Sequence, residues 1–255
     1  MKDIFTQSLF ITKSLIVAKS TLLLFLFTLL GLAIASLFIQ TDIGENGRFF
    51  SDILLSFESI LMHLSALLYA YELRQKEHRG HYLLLLIKNS SRLNYSKQLF
   101  FATFMINISL FILFLLLNTI FTLLSTHSVD LLYPLLMHFL SASLLAFLLL
   151  TISQKIALIN AFFYTLMLFF LGSTLDELLL YSYSQSELFQ NFSTLIYYIF
   201  LNFSLFDNAS LNAVNNWQIL LYYFVYSTIL FLISYSLSVK FVIFDGVFPI
   251  YLQFK

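Results

Sequence analysis

The chain has 255 residues and no net formal charge, with 13 basic and 13 acidic side chains; 60 % of it is hydrophobic and only 10 % charged. A soluble domain is roughly 45–50 % apolar and about 25 % charged, so this composition leaves too little polar surface for a water-soluble globule. It excludes a disordered tail and a basic nucleic-acid binder, and the absence of cysteine excludes disulfide scaffolds, thiolate metal sites and cysteine nucleophiles.

What remains is an all-α integral membrane protein with residues 1–255 as a single transmembrane domain. Runs such as Leu22–Leu30 and Phe111–Leu117 are continuous rather than alternating, which argues against a β-barrel. The two prolines, Pro134 and Pro249, leave room for long helices.

In chain order, residues 1–19 come first. Ile4, Leu9, Phe10, Ile11, Leu15 and Ile16 form a rough apolar face opposite Lys2, Thr6 and Lys13, as expected of an interfacial helix. A bilayer span needs about 20 apolar residues. Six segments qualify: Ser20–Gln40, Ile53–Tyr71, Leu99–Leu124, Leu132–Ser153, Ile156–Leu175 and Trp217–Ser238. The first resembles a signal peptide up to Ala33-Ile34-Ala35, but its apolar run continues through Leu37, Phe38 and Ile39, so a retained span is expected. Between the fifth and sixth spans lies 176–216. Its hydrophobic stretch Leu188–Phe206 carries Gln190, Asn191, Ser193, Asn202 and Ser204 and reads as re-entrant or interfacial helix rather than a seventh span.

Charge position orients the chain, because Lys and Arg near span ends stay in the cytoplasm. Twelve of the 13 basic residues fall on one side: Lys2, Lys13, Lys19, Arg74, Lys76, Arg79, Lys88, Arg92, Lys97, Lys155, Lys240 and Lys255. The opposite loops hold only Arg48, with Asp42, Glu45, Asp52, Asp130, Asp176, Glu177, Glu187 and Asp207. Both termini are therefore expected in the cytoplasm, and 72–98 is expected to be the main cytoplasmic loop.

That loop is the most informative stretch. The mixed-charge Glu72–His81 precedes six apolar residues, Tyr82–Ile87, too few to cross a bilayer. A polar cluster, Lys88-Asn89-Ser90-Ser91-Arg92, follows, and Asn94–Gln98 leads into the third span. On composition this reads either as a basic loop held by anionic lipid headgroups or as an element that accepts force from a soluble motor.

Here the sequence resembles the permeases of ABC type-2 transporters. The resemblance rests on Glu72, Arg79, the Leu83–Leu86 run, Ser91-Arg92, Tyr95 and Lys97, and on the whole-chain topology; Gly80-His81 stands where the family often has Gly-Thr. It implies a six-span permease subunit of an exporter in a bacterial inner membrane, paired with a second permease copy or homologue. A separate cytoplasmic ATP-binding subunit would hold ATP and Mg, leaving no cofactor on this chain. It further implies that 72–98 docks on that ATPase through Glu72, Arg74, Glu77, Arg79 and Arg92, with Tyr82–Ile87, including Leu84, as an apolar wedge. The turn Ser153-Gln154-Lys155 would be a second, smaller contact.

Motifs for chemistry are missing. No glycine-rich phosphate loop precedes a lysine, no His-Glu-x-x-His occurs, and no Gly-x-Ser-x-Gly elbow occurs, so the chain reads as a non-enzyme. Polar residues inside spans are costly and often functional. Glu58, Asn118 and His138 fall at similar depths, roughly 8–9 Å below the outer face at 1.5 Å per residue, and form a candidate intramembrane polar layer. Met62-His63 and Met137-His138 carry ligand types that suit copper, but adjacent helical residues diverge by about 100°, so one pair makes no site and no metal site is assigned. The tyrosines and Trp217 near the outer region read as an interfacial aromatic belt. Two alternative readings are a non-transporting membrane assembly or scaffold protein and a copper-related permease subunit.

Overall fold

The computed structural model describes residues 2–16, 48–78, 92–124, 132–185, 187–206 and 216–245, and among them every regular element is an α-helix. The helices are α1 (Lys2–Ile16), α2 (Arg48–His78), α3 (Arg92–Leu124), α4 (Leu132–Ile152), α5 (Leu158–Ser173), α6 (Leu175–Ser182), α7 (Glu187–Ile199) and α8 (Asn216–Asp245). The expected span Ser20–Gln40, the wedge Tyr82–Ile87 with Tyr82 and Leu84, Arg79, and the tail from 246 lie outside the described residues.

Among the described residues, three helices are long and apolar enough to cross a membrane: Tyr95–Thr119 in α3, Leu132–Ile152, which is α4, and Trp217–Leu237 in α8. A fourth is added if α5 and α6, bent by 42°, form one span. The expected span Ile53–Tyr71 lies within the 31-residue α2. Over the described side chains of α2, Ser56, Glu58, Ser59, His63, Ser65 and the charged turn from Glu72 dilute the apolar run.

The core is built around α4. Leu135, Leu144, Leu145, Ala146, Leu149 and Leu150 are fully buried, and so are Ser141 and Ser143. Its most extensive partner is α2, with α3 and α8 next and α5 after them. Between membrane helices, lipid is as apolar as leucine, so close packing and hydrogen bonds drive association. Small residues meet that need: Ser65, Ala66 and Ala70 on α2 and Ser141, Ala142, Ser143 and Ala146 on α4 are all buried. Phe100 of α3 stacks on Phe147 of α4 at 4.9 Å and meets Phe231 of α8 edge-on at 5.5 Å.

The helix α1 does more than rest on a surface. Ile11 and Leu15 are completely buried, and Ser8 and Thr12 donate to Gln98 O and Ala102 O of α3 at 3.3 and 3.5 Å. Leu9 and Phe10 face outward. One face of α1 is thus bound to protein and the other is apolar and open.

The region expected to be re-entrant, 176–216, contains most of α6, all of α7 and a return through 200–203 that becomes helical again at 204–206. At 13 residues α7 is about 20 Å long, short of a ~30 Å hydrocarbon core. The chain then turns inward: Asn202, Phe203 and Phe206 are buried. Phe203 packs edge-on against Phe169 of α5 at 5.0 Å. Gly172 makes room for this, since a Cβ there would lie 2.3 Å from Leu201 O and 2.8 Å from the Phe203 ring. From α8, the Tyr222 hydroxyl accepts from the backbone N–H of Asn202 at 2.5 Å, and Tyr222 and Tyr226 donate to Phe200 O at 3.2 and 3.3 Å.

The bend between α5 and α6 has a local cause. Ser173 and Thr174 turn their hydroxyls back onto Phe169 O and Leu171 O at 2.9 and 3.1 Å. Such back-bonding competes with the helical ladder and bends helices.

Candidate functional site

Two polar clusters occupy the bundle, one within the helices and one at the end bearing the basic residues. Within the helices, Asn118 Nδ2 of α3 donates to Glu58 Oε2 of α2 at 3.1 Å. Both residues are buried, and Glu58 Oε1 has no hydrogen-bond partner among the described residues. A buried carboxyl with one donor is an expensive arrangement, because each unmet lone pair loses its water without replacement.

The third member of the expected layer, His138, sits beside a different residue. Its ring lies 6.3 Å from that of His63, edge to face. His63 Nδ1 approaches Ser59 O at 2.7 Å. A carbonyl only accepts, so Nδ1 carries the hydrogen, and in the neutral ring Nε2 accepts from the Ser141 hydroxyl at 2.8 Å. The Phe169 ring is 4.9 Å from His63. Two residues beyond Ser141 along α4, Ser143 accepts from Asn107 Nδ2 of α3 at 3.3 Å. The layer thus consists of two subsets: Glu58 with Asn118 between α2 and α3, and His63 with Ser141 and His138 between α2 and α4.

His63 and Ser141 were not assigned to this layer on sequence. The repeated Met-His pair was the available signal, and Ser141 lies three residues from His138, on the same helical face. Of the two Met-His pairs it is the histidine rings that approach each other, while Met62 and Met137 are both buried. Both ring nitrogens of His63, however, are engaged by Ser59 and Ser141. Among the described residues no group of three or more His, Cys, Asp or Glu side chains is arranged to hold a metal ion.

The second cluster lies where α2 emerges. Helix α2 runs past Tyr71 to His78, so Glu72–His78 is a continuation of the helix rather than loop, and Arg92 already belongs to α3. Glu72 pairs with Lys76 at 3.3 Å, and Lys76 Nζ also donates to Ser14 O of α1 at 2.7 Å. Arg74 is turned into the protein, only 6 % exposed. Its Nη1 donates to Glu77 Oε2, and its Nη2 to Leu150 O of α4 at 2.6 Å. A cation at that carbonyl answers the unmet acceptors and negative end of α4.

Beside it, the turn 153–156 closes α4 through Ser153 N to Leu149 O at 3.0 Å and Lys155 N to Ile152 O at 3.1 Å. Gln154 satisfies its neighbours when its amide oxygen faces the donors. The oxygen then accepts from Arg74 Nη2 at 3.0 Å and from the Ser234 hydroxyl of α8, and the amide nitrogen donates to Ser234 O at 2.7 Å. Thr151 adds a bond to Leu230 O of α8 at 3.3 Å. Lys155 is exposed at the tip of the turn.

Of the expected docking residues, Glu72, Arg74, Glu77 and Lys155 are therefore gathered at one end of the bundle. Arg79, Tyr82 and Leu84 and the side chain of Arg92 lie outside the described residues. Comparison with known proteins finds no matching family model, no matching curated protein and no matching solved structure.

Proposed function

We propose that this chain is the membrane-spanning permease subunit of an ATP-driven exporter of the ABC type-2 class. It would have six spans and cytoplasmic termini in a bacterial inner membrane, and would pair with a second permease copy or homologue. A separate cytoplasmic subunit would bind and hydrolyse ATP with Mg; this chain would carry no catalysis. The substrate path would run between two permease subunits and alternate its access as the ATPase closes and opens.

The observation that carries this reading is the charged extension of α2. Glu72, Lys76 and Glu77 extend the helix beyond the apolar run, with Arg74 turned inward beneath them, on the side that collects twelve of the 13 basic residues. A lipid-held loop needs only positive charge, whereas this segment alternates acidic and basic side chains on a helix tied to α1 and α4. A surface of both signs on a rigid arm suits a protein partner better than an anionic membrane. The interior cluster of Glu58, Asn118, His63 and His138 supports the same reading, because polar groups are retained inside membrane helices at a cost.

The test is purification of the tagged full chain from its own membrane in mild detergent. The reading expects a second chain with a phosphate-binding loop to co-purify, and the sample to hydrolyse ATP. A chain that purifies without any such subunit and without ATPase activity contradicts it.

A further inference from the structure

We infer that the two charged elements at the basic end, the α2 extension and the turn Ser153–Ile156, form one composite docking surface pinned from inside by Arg74. Arg74 is then a positioning residue and not a contact of its own. The inference rests on the permease reading only for the identity of the partner; the pin itself is a property of this chain.

Three observations converge. First, Arg74 is buried, unlike Lys155, so its charge is unavailable to a soluble partner. Secondly, its guanidinium reaches in three directions: to Glu77 on its own helix, to Leu150 O at 2.6 Å, and to Gln154 of the turn at 3.0 Å. A planar guanidinium fixes its donors on separate nitrogens in one rigid fork, whereas an ammonium on a flexible stem presents rotating donors from a single atom. Thirdly, Gln154 passes the connection on to Ser234, which is fully buried on α8. The helices α2, α4 and α8 are therefore joined at Arg74, Leu150 and Ser234 through one guanidinium and one amide.

The consequence is mechanical. Force applied to Glu77 reaches Lys155 and the Ser234 position of α8 through Arg74 and Gln154. A partner that presses on the α2 extension moves the turn with it, so the two contacts act together.

The absence of native cysteine makes the test direct. Spin labels at His78 and Ile156, both exposed, report the relation of arm to turn in the full-length chain. Labels at Ser56 and Leu132, also exposed, report the opposite end. A narrow distance distribution is expected for the first pair with Arg74 present. Arg74→Gln should broaden it at least twofold, with the second pair unchanged. Arg74→Lys should not restore the width, since its donors radiate from one atom and lack the two-nitrogen fork that meets Glu77 from Nη1 while Nη2 meets Leu150 O and Gln154. If Arg74→Gln fails to fold, Gln154→Ala breaks the link from the turn side and should broaden the same pair. An unchanged first pair in the folded variants would overturn the inference, and so would equal broadening at both ends. No partner is present in this experiment, so its failure leaves the permease reading to its own test.

Discussion

Single residues carry distinct parts of the account. Glu58 holds Asn118 across α2 and α3 and has one unmet oxygen in an apolar setting. Glu58→Gln keeps an acceptor for Asn118 while removing a group that would be costly to bury as an ion. The variant should melt at the same temperature as the parent or above it, read by a thermal unfolding assay in detergent. Glu58→Ala removes the acceptor and leaves the amide buried, which costs about 1–3 kcal/mol and should lower the midpoint. Equal melting of the parent and both variants would show that the pair is not buried as described. Gly172 is the second decisive residue. The atom added by Gly172→Ala meets a backbone carbonyl at 2.3 Å, and backbone gives way less easily than a side-chain tip. Overpacking of this kind costs roughly 1–3 kcal/mol, and limited proteolysis should cut the 200–206 return faster than in the parent. An unaltered cleavage rate would mean that the return is not seated on α5.

At the scale of elements, hydropathy located α3, α4 and α8 closely, because their interiors are continuous apolar runs. It underestimated their polar ends. The helices α2 and α3 continue through Glu72–His78 and from Arg92, where charged side chains remain good helix formers and nothing breaks the chain. The interfacial reading of 1–19 found the helix but not its seat. Ser8 and Thr12, which bond α3, are indistinguishable in sequence from any polar residue on an amphipathic face. The inward turn at 200–206 was suggested only by Asn202 and Ser204; the tyrosines that hold it are 20 or more residues away in sequence. Likewise the polar layer was legible as depth along each span, whereas its division into two subsets depends on how the helices are rotated. Seating of α1 gives an element-scale prediction. Ile11→Ala empties a fully buried position, at a cost of about 2–5 kcal/mol. Spin labels on Phe10 and a site in α3 should then separate or spread; an unchanged distance would place α1 on lipid alone.

For the whole molecule, the proposed six-span topology makes zero net charge a cancellation between two ends, and that asymmetry orients the proposed permease. In intact cells a cysteine at Ser184 should react with a membrane-impermeant thiol reagent, while a cysteine at Ser91 should react only after lysis. The opposite pattern would invert the topology and remove the α2 extension from the cytoplasm. The central claim is that this extension engages an ATPase. It is tested most directly by Glu77→Ala combined with Arg79→Ala, measured as ATPase activity and ATPase subunit retained on the purified chain. The double variant is expected to insert and accumulate like the parent but to lose most of the bound ATPase, by at least tenfold. Full retention of the ATPase and its activity on the double variant would contradict it.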